Sequence, residues 1–166
     1  MLRFAAALIL LAAVFLLAGG PAIVWQQLGA ADLGQVDFAT LQRRTTPNDA
    51  LACRKDICAA TADFAPPEFD VPAEELYRLF QAAIAHEPRL ERVGADEKKR
   101  TLRYVQRSRW MGFPDTITVK INPLADGRST VTLYSRSQLG KGDFGVNRAR
   151  LESWIALLQV TAQAGN

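Results

Sequence analysis

The chain is poor in the side chains that most often carry metal and nucleophilic chemistry. Among 166 residues there is one histidine, His86, and there are two cysteines, Cys53 and Cys58. A soft four-ligand metal shell would have to be completed by carboxylates, so no metal is expected. The cysteines are spaced C-x4-C rather than C-x-x-C, and no strand-to-helix junction precedes them, which argues against a redox pair. The intervening Arg-Lys-Asp-Ile can close a small loop, and a structural disulfide between Cys53 and Cys58 is the expectation. No G-x-S-x-G elbow surrounds Ser108, Ser135 or Ser137, and none has a histidine partner in prospect. His86 falls in the last turn of a predicted helix, where a cation suits the dipole. The chain also lacks internal repeats and low-complexity tracts, and nothing in it calls for a cofactor.

Charge is missing from one long stretch, since no charged residue lies between Arg3 and Asp32. The strongly apolar part, Phe4 to Ala18, is 15 residues, short of the about 20 that a bilayer's hydrocarbon asks for. Counting on through Ile23, Val24 and Trp25 reaches spanning length, with Trp25 at interfacial depth. Cleavage after Ala18-Gly19-Gly20 would leave Pro21 next to the cut, and Leu28-Gly29-Ala30 has a bulky third residue. Residues 1–31 are therefore read as an N-terminal transmembrane anchor, with a cleaved signal segment as the alternative. Arg3 and the amino terminus favour the cytoplasm for that end, which puts the rest on the far side. The expected location is a bacterial inner membrane with a periplasmic domain, or the periplasm if the segment is removed. Such export also makes nucleic acid a poor partner despite a pI of 9.1, and no aromatic platform interleaves the basic residues.

The remaining charge is split along the chain. Residues 32–97 hold 13 acidic and 7 basic side chains, whereas residues 98–150 hold 12 basic and 3 acidic. Either the halves pack together, or the basic one faces an anionic partner.

Residues 32–70 are irregular, broken by Pro47, Pro66 and Pro67, and read as a linker and an extended arm tied by the disulfide. From residue 71 to 166 periodic elements take over. Pro72 suits a first helical turn, and Leu76, Leu79, Phe80, Ala83 and Ile84 form one apolar stripe. Extended segments follow at Arg89–Val93, Thr101–Trp110, Thr116–Leu124 and Ser129–Ser137, the last two joined by an Asp-Gly turn. Strand parity puts Ile117, Val119, Ile121, Val131 and Leu133 on one face and a threonine-rich, arginine-bearing set on the other. Trp110, Met111 and Phe113 read as core, with a lipid-touching loop as the alternative. A last helix carries Leu151, Trp154, Ile155 and Leu158, with Asp143 placed to cap it. The predicted class is α+β: an antiparallel β-meander packed against two amphipathic helices, preceded by one N-terminal transmembrane or signal helix. At the level of fold this resembles the helix-grip arrangement.

Thr46-Pro-Asn48, Phe113-Pro-Asp115-Thr, Tyr134-Ser-Arg-Ser-Gln-Leu-Gly140 and Asp143-Phe-Gly-Val-Asn-Arg148 resemble a bacterial and plastid family, domain of unknown function 1499. The resemblance spans roughly residues 41–158 and implies no activity, cofactor or catalytic residue.

The Gly-rich corner before the last helix has two readings. Structurally, glycines turn the chain, Asp143 caps the helix, and Arg136 or Arg148 pairs with Asp143 or Asp115. Functionally, Arg136, Lys141, Asp143, Asn147 and Arg148 form a candidate ligand site, a helix N-terminus with cations nearby, Arg150 among them, that suits an anionic group. The preferred function is a non-enzymatic envelope domain that binds an anionic or amphipathic ligand, an anionic lipid or a protein partner, through this corner and the Arg/Thr face. The alternative is a hydrolase-like enzyme using Asp115 or Asp143 with Arg136 as a charge clamp.

Overall fold

The computed structural model describes residues 2–18, 20 and 32–164. Helix α1, Leu2–Leu17, is 16 residues, or about 24 Å at the α-helical rise. Its side chains from Phe4 to Leu17 are exposed. That is shorter than the hydrocarbon layer, and among the described residues no helix is long and apolar enough to cross a membrane. The predicted span is corrected accordingly, and its continuation through Ile23, Val24 and Trp25 lies outside the described residues.

The sheet comprises β1 (Asp49–Ala52), β2 (Glu68–Phe69), β3 (Leu90–Asp96), β4 (Thr101–Arg107), β5 (Pro114–Pro123) and β6 (Ser129–Ser137). Strands β3 to β6 are the expected antiparallel meander. The arm is more ordered than its prolines suggest, because β1 and β2 both pair with the free edge of β6. A four-stranded meander thereby becomes a six-stranded sheet, ordered β1-β6-β5-β4-β3 with β2 beside β1 on β6. The β5–β6 connection turns at Asp126 and Gly127, both at positive φ. In β3 the register shifts between Arg92 and Gly94, and a Cβ at Gly94 would lie 2.6 Å from the Arg103 guanidinium. The missing side chain gives Arg103 room to reach Asp32 at 2.6 Å.

Two helices close one face. Helix α2 (Ala73–Ala83) and helix α3 (Val146–Ala164) flank the sheet. The buried residues Leu76, Phe80, Leu151, Trp154 and Leu158 pack with Leu102, Ile117, Val119, Ile121, Val131 and Leu133. Trp154 sits edge-on to Phe80 at 6.1 Å and to Tyr104 at 6.0 Å. These rings fill the space between sheet and helices. Burial of large apolar side chains at about 1.5–3 kcal/mol each makes this layer the main source of stability.

The opposite face, through which ligand binding was expected, is also covered. Phe38, Leu51, Cys53 and Tyr134 form a second buried cluster, with Val36, Leu41 and Ile57 against it. Thr116, Thr118, Thr130 and Thr132 are buried. The Cys53–Cys58 disulfide is present and ties this strap. Tyr134 donates to Asp49 at 2.6 Å, and Arg43 pairs with Asp49 at 2.6 Å and Asp63 at 3.0 Å. Burial, then the hydrogen bond to the Asp49 carboxylate, pushes the Tyr134 phenol well above its usual range. The acidic and basic halves meet through Arg103–Asp32, Arg100–Glu74 and Arg128–Glu68.

Candidate functional site

Strand alternation sends Asp115, Ser135 and Ser137 to the helix-covered face, at the end of the sheet where α3 begins. There Arg150 reaches back from the first turns of the helix. Its guanidinium contacts Asp115 Oδ2 at 2.7 Å, Gln106 Oε1 at 2.5 Å, Ser135 Oγ at 2.7 Å and Asn147 Oδ1 at 2.7 Å. The Arg150 and Asp115 side chains are only 8% and 10% exposed. Asn147 is fully buried and its amide donates to Asp143 Oδ2 at 2.7 Å, Ser137 Oγ at 3.1 Å and Asn48 O at 3.2 Å. A pair desolvated this far is stable only when its remaining donors and acceptors are matched, and these neighbours match them.

Asp143 caps the helix as its position suggests, accepting from Gly145 N and Asn147 N at 3.0 Å each. The β6–α3 turn around it runs through Gly140, Phe144 and Gly145, all at positive φ. Asn48 pins it from the arm by donating to Gly140 O at 2.8 Å. The β4–β5 loop lies alongside, since Gln138 N donates to Pro114 O at 3.0 Å. Inside that loop Ser108 Oγ accepts from Phe113 N at 2.9 Å.

Between the two loops lies an open pocket of about 280 Å³. Phe113, Leu139, Phe144 and Val146 give it apolar walls, and Ser108, Asp115, Ser137 and Asp143 its polar parts. The rim projects into solvent. Trp110 is 81% exposed, Met111 40% and Phe113 39%, so these residues are a loop tip and the core reading is corrected. Pro114 starts β5 immediately after them. Arg109 lies over the Trp110 ring at 5.0 Å.

The predicted site residues divide. Asp143 and Asn147 meet in the buried network, where both are fully engaged in holding the corner. Lys141 is exposed at the tip. Arg148 points outward, pairing with Glu152 at 2.9 Å and lying over the Phe64 ring at 5.5 Å. Arg136 faces the arm, donates to Leu33 O at 3.0 Å and lies over Tyr134. Burial pulls its pKa below the usual arginine value. It therefore sits on the opposite face from Asp115, and the carboxylate–arginine clamp of the hydrolase reading is not assembled. Among the described residues no group of three or more His, Cys, Asp or Glu is placed to hold a metal ion.

Gln106 and Asn48 are not among the candidates that the sequence offers for the site, Ser135 and Ser137 enter it only as serines without a histidine partner, and Arg150 only as a cation close to the helix N-terminus. A helix-face arginine three residues after Asn147 is the one signal that points Arg150 into the network, since an i, i+3 pair shares a face.

A family model described as protein of unknown function, DUF1499, matches residues 38–158. No curated protein sequence matches. Among solved structures, the di-domain ARO/CYC BexL from the BE-7585A biosynthetic pathway is similar at 18% identity and a TM-score of 0.47, over 69% of this chain and 46% of that one. TTHA0849 from Thermus thermophilus is similar at 15% identity and a TM-score of 0.43, over 71% and 99% of the two chains. Ara h 8.0201 is similar at 14% identity and a TM-score of 0.40, over 58% and 94%.

Proposed function

The chain belongs to the DUF1499 family, and we propose that its α+β domain is a binding module of the bacterial envelope that takes the apolar part of an amphipathic ligand at the corner pocket. The observation that carries this reading is the pocket's composition, four apolar walls beside two hydroxyls and two carboxylates. Both carboxylates are committed, Asp115 to Arg150 and Asp143 to the helix cap, which favours binding over acid–base chemistry. At about 280 Å³ the pocket is at the small end of ligand sites, which run about 300–1,000 Å³. It suits a segment of a ligand rather than a whole lipid.

The exposed apolar surface of α1 supports attachment to a membrane on the exported side. A helix of this length that is apolar all round can form one part of an anchor.

The test is solvent extraction and mass spectrometry of the full chain purified in mild detergent, beside Leu139→Asp. An amphiphile retained by the parent and lost from the folded variant is expected. A parent that carries nothing beyond detergent would contradict the reading.

A further inference from the structure

The pocket accounts for Phe113 and Leu139, but Phe144 only edges its mouth and Trp110 lies outside it. Phe144 is fully exposed and holds φ at 55°. A bulky side chain in the left-handed region is disfavoured, and Asn or Gly would serve the turn better. Here the ring buries nothing in return, and such strain persists where another requirement holds it. Trp110 stands on the neighbouring loop, equally unburied. Four cations stand on or beside these loops, with the carboxylate of Glu87 turned to Gln106. Arg89 bonds through Nε to Arg107 O at 3.0 Å, Arg107 to Gly112 O, Arg109 covers Trp110, and Lys141 tops the turn. Of the other arginines on or beside the sheet, Arg92 and Arg136 meet an amide oxygen and a backbone carbonyl, while Arg100, Arg103 and Arg128 meet carboxylates of the arm and α2. Among the described residues these four cations do not, the nearby Asp115 and Asp143 being bound to Arg150 and the cap.

Aromatic tips with Lys and Arg beside them match the two layers of a bilayer surface, apolar at acyl depth and anionic at the headgroups. We propose that the rim formed by Trp110, Met111 and Phe144, with Arg89, Arg107, Arg109 and Lys141, docks on a bilayer containing anionic lipid. It is a second membrane contact, separate from α1, and it turns the mouth of the pocket toward the lipid. Two weak signals together give stable association where each alone is marginal. The inference goes beyond the pocket reading and does not need the pocket to hold a ligand.

The test uses the full chain carrying Trp25→Phe, so that Trp110 reports against Trp154, which is buried. It is reconstituted with phosphatidylcholine vesicles with or without phosphatidylglycerol, the acyl chains brominated. Docking predicts quenching of Trp110 by the bromines that rises with the phosphatidylglycerol fraction. Lys141→Gln or Arg109→Gln should lower the docked-to-undocked ratio about fivefold each. Phe144→Asn should lower it about tenfold without lowering Tm, a combination that a purely structural Phe144 would not give. Trp110 left unquenched and open to acrylamide on vesicle-bound chain would overturn the proposal, as would a chain that does not associate with the vesicles. Shielding of Trp110 only by added soluble protein would give the rim to a protein partner and also overturn it. A missing amphiphile in the extraction experiment leaves this quenching unaffected, so the two ideas fail separately.

Discussion

The stretch from Ser135 to Arg150 divides into a base and a tip. At the base Ser135, Ser137, Asn147 and Arg150 spend their polar groups on one another, on Asp115 and on Asn48. At the tip Lys141, Phe144 and Val146 stand in solvent. The difference teaches how a short Gly-rich corner can hold an exposed, strained aromatic in place. A loop tip without a fixed base would relax, whereas this one is anchored on both sides by matched, desolvated contacts.

The largest effect should come from the base. Arg150→Ala leaves Asp115 buried without its counter-charge and should cost about 3–5 kcal/mol in denaturant unfolding. A loss below about 1 kcal/mol would mean that the network is loosely solvated. Asn147→Ala removes a buried hub and should cost about 1–3 kcal/mol by the same measurement.

Alkaline pH should act through the buried tyrosines, Tyr134 under the arm and Tyr104 on the helix side. Tyr134 is pushed up by burial and Asp49, and burial raises Tyr104 to about 12. Protonated phenol is thus favoured by folding. The contribution is complete below the unfolded value of about 10 and is lost as pH climbs through the folded values. Stability should be level up to about pH 10 with respect to these groups and then fall, and in Tyr134→Phe that fall should be shallower. An unchanged alkaline limb in the variant would remove Tyr134 from the explanation.

The smallest stability effects belong to the tip. Phe144→Asn should raise stability by up to about 1 kcal/mol through relief of the left-handed backbone. Lys141→Gln should stay within about 0.5 kcal/mol. If either lowers Tm strongly, the division between base and tip does not hold.

Much of the fold was legible because its signals were local. Ser129–Ser137 alternates cleanly, and Leu151, Trp154, Ile155 and Leu158 recur at helical spacing and are buried. Strand β1 was not legible, since Asp-Ala-Leu-Ala carries no β-branched residue and exists through pairing with β6 across more than eighty positions. The same physics hid the covered face. Threonines that strand parity places opposite the apolar set are buried under an arm held by Tyr134, Asp49 and the disulfide together. At the site, Asp143 as a cap followed from position alone. Arg150 was legible as a cation near that cap, but its burial was not, because its partners Asp115 and Gln106 come from strands 35 and 44 residues away.

The most direct measurement pairs thermal unfolding with the Trp110 quenching assay for Phe144→Asn in the Trp25→Phe chain. A Tm equal to or above the parent's, with the docked-to-undocked ratio read from quenching by anionic vesicles reduced about tenfold, is the predicted result. A lowered Tm with quenching unchanged would contradict it, and would make Phe144 part of the scaffold.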